Sequence, residues 1–335
     1  AILDVDGNLI HNTKTNNGTI INKPAPLTNF ASSSITAIYG DSITNAFTTD
    51  SNGSKTFSSS NVSSATINSS SGSVVIVAVG NTTMSVNLAE TNEYTSANDN
   101  YTLTTNPKTL TATASASDKV YDGTTTATTT LTFSGLIGSE TLGQTVSSTF
   151  SDKNVDTGKT VTVNSITLAN GTNGGLASNY TISSGQTTTA DITAKALTVS
   201  GITASDKTYD ATTAATLGTG AVVYGGLVSG DTLTGTYSGV FDNANVGTGK
   251  TVTITSSYGG ADVNNYTITD QVSTTADVTT KALTATASAA NKVYDASNTA
   301  STTLTLSGFI GTETVTSTNS STFNNKNVGT GKTVT

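Results

Sequence analysis

The sequence predicts an all-β chain of tandem antiparallel β-sandwich domains of the Ig-like class, set one after another in an elongated array. Two observations support this prediction: a repeat as long as a domain, and short segments in which apolar residues alternate with Thr and Ser. Leu110, Ala112 and Ala114 alternate in this way, as do Val161 and Val163. Because β-branched Thr and Val suit a pleated surface, each unit is expected to fold as about seven or eight short strands.

A Tyr-Asp pair marks the repeat. It occurs three times at intervals of 88 and 85 residues, as Tyr121-Asp122, Tyr209-Asp210 and Tyr294-Asp295. An interval of this length indicates repeated whole domains, because the rungs of a solenoid are much shorter.

Two further blocks follow the first two Tyr-Asp pairs in a fixed order, and the first of these blocks also follows the third pair. The second block begins at Phe150 as FSDKNVDTGKTVTV, and returns from Phe241 as FDNANVGTGKTVTI and from Phe323 as FNNKNVGTGKTVT. The third block is Asn-Tyr-Thr-Ile, which begins at Asn179 and again at Asn265. The constant order indicates true internal repetition, which drift of a low-complexity sequence would not preserve.

A diverged copy is expected upstream, opened by Tyr39-Gly40-Asp41 and closed by Asn100-Tyr101. The expected domains are a lead-in at 1–28, the diverged repeat at 29–109, full repeats at 110–196 and 197–282, and a truncated repeat at 283–335. The lead-in is expected to be the end of a β-helix or of a preceding domain. The lack of a signal peptide suggests that Ala1 lies within a longer protein.

Composition narrows the function classes. Charged residues make up 11% of the chain, against roughly 25% in an average globular protein. All 14 basic residues are Lys and the net charge is −8, so nucleic acid is not an expected partner. The chain has no Cys, which rules out disulfides and thiolate metal sites. No apolar run reaches eighteen residues, so no membrane insertion is expected in this segment.

The three blocks together carry a family resemblance. The D-K-x-Y-D-G/A opening, the N-V-x-T-G-K-T-V-T centre and the N-Y-T-I close resemble the YDG-domain repeats of large bacterial exoproteins, the haemagglutinin-like adhesins often exported by two-partner secretion. The diverged copy, with Tyr39-Gly40-Asp41, resembles the related MBG-type adhesin repeats or a bacterial Ig-like domain. The resemblance implies an all-β stalk outside the cell or at the bacterial cell surface, and it implies no catalytic residues.

Several motifs resemble ligand sites. The candidate calcium ligands are Asp152, Asp156 and Asp242, but their counterparts in the last copy carry no carboxylate, which favours loop capping. Asp4-Val5-Asp6-Gly7-Asn8 resembles a calcium loop but has its glycine too early. The repeated Gly-Lys-Thr, first at 158–160, lacks the earlier glycine and the helix of a phosphate-binding loop, so a hairpin turn entering a strand is expected.

The Tyr-Asp pair has two interpretations. It suits sugar binding by ring stacking, or a tyrosine corner in which the hydroxyl bonds back to its own domain while the Asp caps a turn. The structural interpretation is favoured. The twelve residues singled out as repeat landmarks are Tyr39, Asp41, Tyr121, Asp122, Asn179, Tyr180, Tyr209, Asp210, Asn265, Tyr266, Tyr294 and Asp295.

Two further residue patterns bear on a catalytic triad and on a covalent crosslink. The single His, His11, is expected at the surface and does not support a catalytic triad. A Lys–Asn isopeptide crosslink would require one of the repeated lysines, Lys119, Lys207 or Lys292, to contact Asn179 or Asn265 beside a carboxylate. We therefore expect no enzyme, no catalytic residue, no cofactor and no resident metal.

Three functions fit the sequence. The leading hypothesis is a non-enzymatic structural stalk of a bacterial surface or secreted adhesin, whose tandem domains space a binding region. The alternatives are a subunit of an extracellular fibre or biofilm matrix, and a glycan- or protein-binding adhesin module. The expected partners are neighbouring copies or domains of the same exoprotein, with a host or environmental glycan or protein under the third hypothesis.

Overall fold

The computed structural model describes residues 23–335, together with the backbone of two short paired strands, β1 (Lys14–Asn16) and β2 (Thr19–Ile21). Within these residues the chain is β-structure and loops, apart from two single-turn 3₁₀ helices at Ala177–Asn179 and Val263–Asn265. The predicted all-β class with tandem sandwich domains is confirmed.

Contacts divide the chain into two compact units. The first unit holds Ala1–Lys119 and Thr124–Thr193, and the second holds Val120–Gly123 and Ala194–Thr335. Four residues around the first Tyr-Asp pair therefore group with the second unit.

The diverged repeat forms one four-stranded sheet in the order β4-β10-β9-β6, with two antiparallel pairs beside it, β3-β5 and β7-β8. Its core packs Phe30 of β3, Phe57 of β6, Met84 and Val86 of β9, and Leu103 of β10. The strands are β3 (Thr28–Phe30), β4 (Ser34–Ile38), β5 (Phe47–Thr49), β6 (Lys55–Ser59), β7 (Ala65–Ile67), β8 (Val74–Ile76), β9 (Gly80–Leu88) and β10 (Ala97–Asn106).

The first full repeat contains a five-stranded sheet in the order β13-β19-β17-β16-β14, together with the pairs β12-β15 and β11-β18. Alternating residues such as Val161 and Val163 face inward, at 0% and 1% exposure, because side chains alternate along a strand. The strands are β11 (Lys108–Thr109), β12 (Thr111–Ala116), β13 (Lys119–Val120), β14 (Thr126–Ala127), β15 (Thr129–Ser134), β16 (Leu142–Phe150), β17 (Asp156–Asn170), β18 (Tyr180–Thr181) and β19 (Thr187–Thr193).

The second full repeat has the same five-stranded sheet, in the order β22-β29-β27-β26-β23, with β25-β20-β28 and β21-β24 beside it. Phe241, Val252, Ala276 and Val278 form its core. The strands are β20 (Lys195–Ser200), β21 (Thr203–Ala204), β22 (Lys207–Thr208), β23 (Ala214–Ala215), β24 (Leu217–Gly218), β25 (Val223–Gly225), β26 (Thr234–Phe241), β27 (Gly247–Gly259), β28 (Tyr266–Thr269) and β29 (Ser273–Thr279).

The last repeat forms two antiparallel pairs, β30-β32 and β31-β33. Every residue of its first strand is exposed, whereas the corresponding β12 of the first full repeat alternates between exposed and half-buried residues. The strands are β30 (Thr284–Ala289), β31 (Thr299–Ala300), β32 (Thr302–Ser307) and β33 (Ser321–Thr322).

Two details depart from the simple antiparallel prediction. First, strands from the start of a repeat pair parallel with strands near its end, as in β4 with β10, β11 with β18, β20 with β28, and β22 with β29. Second, the Thr-Gly-Lys segment lies within a long strand at a break in register, between Asp156 and Lys159 in one repeat and between Gly247 and Lys250 in the next. Gly158 and Gly249 there have φ of 62° and 59°, the left-handed conformation typical of a glycine bulge.

No helix in the described part of the chain is long and apolar enough to cross a membrane.

Candidate functional site

A tyrosine from one repeat meets a carboxylate and a second tyrosine from the following repeat. In the first unit, the Tyr39 hydroxyl donates to Glu140 Oε1 at 2.6 Å, and the Tyr180 hydroxyl donates to Glu140 Oε2 at 2.5 Å. The two tyrosine rings meet edge to face, with centroids 5.5 Å apart. Tyr39 and Tyr180 are buried and pack with Leu110 in one cluster. We call Tyr39, and the tyrosine at the same place in each later repeat, the docking tyrosine. Glu140 and Tyr180 are the acceptor pair, a name that we also use for their counterparts in later repeats.

Local structure positions each member of this junction. Tyr39 follows directly after β4, while Tyr180 opens β18 directly after the 3₁₀ turn. Glu140 lies in the loop between β15 and β16, where its backbone N–H closes a turn onto Ile137 O at 3.1 Å. The Tyr180 hydroxyl accepts from the Ile137 N–H at 3.0 Å, so the same hydroxyl holds this loop and binds the carboxylate.

The second unit repeats the arrangement with an aspartate. The Tyr121 hydroxyl donates to Asp231 Oδ2 at 2.8 Å, and the Tyr266 hydroxyl donates to the same oxygen at 2.6 Å. Their rings are again edge to face, 5.6 Å apart. The Val228 N–H donates to the Tyr266 hydroxyl at 2.9 Å, as Ile137 does in the first unit. Tyr121 is only 1% exposed.

A third docking tyrosine has a carboxylate partner. The Tyr209 hydroxyl donates to Glu313, whose N–H closes the same turn onto Ile310 O. The given sequence of the last repeat ends before the position of the Asn-Tyr-Thr-Ile block. Tyr294, the fourth docking tyrosine, is 56% exposed.

The junctions change the acidity of their phenols. Burial, followed by the hydrogen bond to Glu140, raises the pKa of Tyr39 and of Tyr180 to about 12. Burial and the bond to Asp231 raise the pKa of Tyr266 to about 12. For Tyr209 the hydrogen bond to Glu313 is the main cause of a raised pKa. Each phenol therefore stays protonated and able to donate throughout the neutral range.

The destination of these hydroxyl bonds corrects the tyrosine-corner interpretation. That interpretation expected each hydroxyl to bond back to its own domain. Instead, Tyr39, Tyr121 and Tyr209 each donate to a carboxylate of the following repeat. A sugar-stacking role would need an open ring face, and Tyr39 and Tyr121 are buried. The landmark tyrosines thus join a repeat to its successor.

The aspartates of the Tyr-Asp pairs shape the loop. Asp210 Oδ1 accepts from the Thr212 N–H at 2.9 Å, and Asp295 Oδ1 accepts from the Ser297 N–H at the same distance. In the diverged copy, Asp41 Oδ2 accepts from the Ile38 N–H at 2.8 Å. Each bond is a turn cap. Hydrogen bonds from lysine lower the pKa of Asp210 and of Asp295 to about 2.

In the two full repeats and in the last repeat, a lysine two residues before the docking tyrosine braces the same loop. Lys207 Nζ donates to Thr212 O at 2.7 Å and Ala214 O at 3.1 Å, and lies 5.5 Å from the centre of the Phe241 ring. Lys119 makes the equivalent contacts with Thr124, Thr126 and the Phe150 ring, and Lys292 with Ser297 and the Phe323 ring. The repeated lysines are thus cations held by carbonyls and a ring face.

Asn179 lies in a different environment from the repeated lysines. It is fully buried, and its Oδ1 accepts from the Val79 N–H at 3.0 Å. Lys119 and Asn179 therefore do not share a site, which leaves an isopeptide bond between them without its required contact. Asn265, the counterpart in the next repeat, is also buried.

The candidate calcium ligands face lysine ammonium groups. Lys159 Nζ lies 2.8 Å from both carboxylate oxygens of Asp152, and Lys250 Nζ lies 2.8 Å from Asp242 Oδ1. These hydrogen bonds hold the pKa of Asp152 and of Asp242 below the usual range. Asp156 Oδ1 accepts from the Thr157 N–H at 2.8 Å. Among the described residues, no group of three or more metal-ligating side chains comes together.

In the Gly-Lys-Thr segments of the two full repeats, the glycine N–H groups donate to aspartate side chains of the same repeat. The Gly158 N–H donates to Asp191 Oδ1, and the Gly249 N–H to Asp277 Oδ1, each at 2.7 Å. Asp4 to Asn8 and His11 lie outside the described residues.

Sequence reasoning missed the carboxylates of the junctions. Glu140, Asp231 and Glu313 each follow a pair of glycines, whose spacing predicts only a turn. Comparing the copies offers the signal: an acidic residue occurs at that point in all three repeats, although their other loop charges differ.

Comparisons with solved structures show only remote likeness. They include Drosophila N-cadherin EC1–4 (10% identity, 81% of this chain and 82% of that chain, TM-score 0.26), domains 4–9 of the surface layer protein SbsC (13%, 74% and 44%, 0.18) and the I9–I11 tandem of titin (10%, 76% and 99%, 0.20). At these scores they carry no argument about function. No curated protein matches the chain.

The family model of the YDG domain matches three consecutive segments, residues 106–190, 193–276 and 279–335. Together they cover well over half of the 335 residues. The chain belongs to the YDG-domain family, of which it carries three tandem repeats.

Proposed function

We propose that this chain is a non-enzymatic structural stalk of a bacterial cell-surface or secreted adhesin, in which tandem β domains space a binding region away from its anchor. The observation that carries the proposal is the recurring junction, in which a docking tyrosine enters the acceptor pair of the next repeat. A repeat that fastens to its successor suits a spacer, because spacing depends on junctions that do not bend freely.

The junction chemistry supports a fixed connection. Burial of two aromatic rings stabilises the contact, and the shared carboxylate fixes its orientation. In the first unit, Asn179 adds a bond from the acceptor repeat to the Val79 N–H of the repeat before it. The diverged repeat offers a docking tyrosine, but its Asn-Tyr tyrosine, Tyr101, packs against Phe30 of the same domain. It is therefore suited to begin such a series.

Solution scattering tests the proposal by length. One compact domain of 335 residues would have a radius of gyration of about 20 Å. Three and a half units of about 30 Å each would make a rod about 105 Å long, with a radius of gyration of about 30 Å. We expect a monodisperse monomer of the second kind. A radius near 20 Å would contradict the stalk, and filaments growing with concentration would favour the fibre alternative.

A variant of one junction tests whether the junctions keep the chain extended. Asp231→Ala leaves the Tyr121 and Tyr266 hydroxyls without their carboxylate, so we expect a broader distribution of interatomic distances in scattering. Asp242→Ala is the matched control, because it removes a carboxylate that pairs with Lys250 in a loop away from the junction. If both variants scatter like the wild type, the junction does not set the shape.

A further inference from the structure

In each full repeat, a strand near the chain's entry and a strand near its exit are parallel neighbours. In the second full repeat, β22 pairs with β29 through Lys207 opposite Val278 and Thr208 opposite Thr279. On the other sheet, β20 pairs parallel with β28 over four residues, from Lys195 opposite Tyr266 onward. In the first full repeat, β11 and β18 form the corresponding parallel pair.

Side chains reinforce this contact between entry and exit. The Asp277 N–H donates to Asp206 Oδ1 at 2.7 Å, the Thr279 hydroxyl donates to Lys207 O at 3.3 Å, and the Tyr209 N–H donates to Thr279 O at 2.9 Å. We call this set of bonds the terminal clamp.

The first full repeat has the same side-chain bonds. There the Asp191 N–H donates to Asp118 Oδ1 at 2.7 Å, and the Thr193 hydroxyl donates to Lys119 O at 3.3 Å. The side-chain bonds of the terminal clamp are therefore a property of the repeat, because two copies with different loop sequences both form them.

The direction of the strands decides how tension acts on these bonds. Pulling on the two ends of a repeat draws its entry strand backwards and its exit strand forwards. Because the two strands are parallel neighbours, they can separate only by sliding past each other, which loads all their hydrogen bonds at once. Antiparallel neighbours pulled from the same end would instead open one bond at a time.

We propose that the YDG repeats of this chain resist mechanical unfolding, because the terminal clamp holds each repeat together when tension acts along the chain. The proposal deepens the stalk function and rests on it for its biological setting. The resistance to force is a property of one repeat, whereas the stalk is tested by the length of the whole molecule. A compact chain with a strong clamp would refute only the stalk, and an extended chain with a weak clamp would refute only the resistance to force.

Single-molecule force spectroscopy on the full chain tests this in two pulling directions. The chain has no cysteine, so engineered pairs give unique attachment points. One variant carries Ala194→Cys and Thr280→Cys, which flank the second full repeat and load the clamp in shear. The other carries Thr234→Cys and Ser257→Cys at the open end of the β26–β27 hairpin, which pull these antiparallel strands apart. Each cysteine is coupled to its own handle, so the pairs do not form a disulfide.

We expect the shear direction to need at least about twice the unfolding force of the hairpin direction at equal pulling speed, since forced unfolding follows the unfolding barrier. The shear event should release a contour length on the order of 300 Å, as expected for one repeat. Equal forces in the two directions would overturn the proposal. The four replaced residues are exposed or half-buried, so we expect both variants to keep the fold of the wild type.

A side-chain variant then tests the clamp itself. Asp206→Ala removes the acceptor of the Asp277 N–H, and we expect it to lower the shear unfolding force while leaving the hairpin force unchanged. Asp242→Ala is again the matched control, since Asp242 lies in the β26–β27 loop, outside the clamp. An unchanged shear force in Asp206→Ala would overturn the assignment of the clamp to these bonds.

Discussion

Tyr121 and Tyr294 occupy the same place in their repeats but have opposite surroundings. Tyr121 is 1% exposed and bonds Asp231, whereas Tyr294 is 56% exposed. The loop around each is nevertheless alike: Lys119 and Lys292 both brace it over a phenylalanine ring. The difference teaches that the loop is built within a repeat, whereas Tyr121 is buried through its contacts with Asp231 and Tyr266 of the following repeat.

Truncating the two tyrosines should break this comparison most clearly. We expect Tyr121→Ala to destabilise the protein by about 3–5 kcal/mol, as for other buried aromatic residues, because it leaves a cavity beside the Tyr266–Asp231 contact. Tyr294→Ala should change stability by no more than about 0.5 kcal/mol, because its ring lies mostly in solvent. Urea denaturation of both variants measures the difference. Similar losses in both would mean that the next repeat does not provide the burial.

A smaller effect is expected where a glycine approaches the next repeat. Gly40 has a φ of 93°, and a Cβ there would lie 2.3 Å from Ile137 Cδ1. Gly40→Ala should therefore destabilise the protein by about 1–3 kcal/mol, through backbone strain and overpacking.

Gly138→Ala separates these two causes. Gly138 also has a positive φ, of 56°, but no heavy atom lies within 4 Å of its would-be Cβ. We expect Gly138→Ala to be destabilised by backbone strain alone, and so to lose less stability than Gly40→Ala in thermal denaturation. An equal loss in both variants would show that the approach to Ile137 contributes nothing.

The smallest effect at neutral pH is the titration of the junction phenols, which becomes large only in alkali. The pKa of Tyr39 and of Tyr180 rises from 10.0 to about 12 in the folded chain. A folded pKa above the unfolded value means that the folded state holds the proton more tightly. The stability that the folded state gains from this proton binding is therefore fully present below pH 10 and is lost as the pH rises to about 12.

Tyrosinate absorbance and circular dichroism followed together over this range check the titration. Unfolding should accompany ionisation of the buried phenols. Glu140→Gln is the control, because it removes the charge that opposes ionisation and should let these phenols titrate at lower pH. Full ionisation near pH 10 in the wild type would contradict the buried junction.

The sequence was sufficient for the all-β class and for the repeats, because alternation and copy number are properties of the chain itself. It was insufficient for the partner of Tyr121. In a tandem array, every repeat contains the same candidate partners, so a contact within one repeat and a contact to the next predict the same recurring residues. Only the fold shows that Tyr121 reaches Asp231 of the following repeat.

For the same reason, the sequence did not reveal the role of the repeated lysines. Their spacing from Asn179 and Asn265 made a crosslink conceivable, but spacing does not specify direction. In the structure, Lys207 turns back onto Thr212 and Ala214, within eight residues of its own position. Contacts with backbone carbonyls cannot be predicted from residue types, because every residue has a backbone carbonyl.

The junction also bears on how such a chain gains or loses length. Every full repeat carries both a docking tyrosine for its successor and an acceptor pair for its predecessor. Duplicating or deleting one whole repeat therefore recreates a complete junction on each side, without any compensating mutation. Glu140 and Asp231 fill the same place, so the junction also tolerates copies that have diverged. Recombination between repeats would then change the length in whole-domain steps, while a cut between Tyr121 and Asp231 would leave a buried tyrosine without its partner.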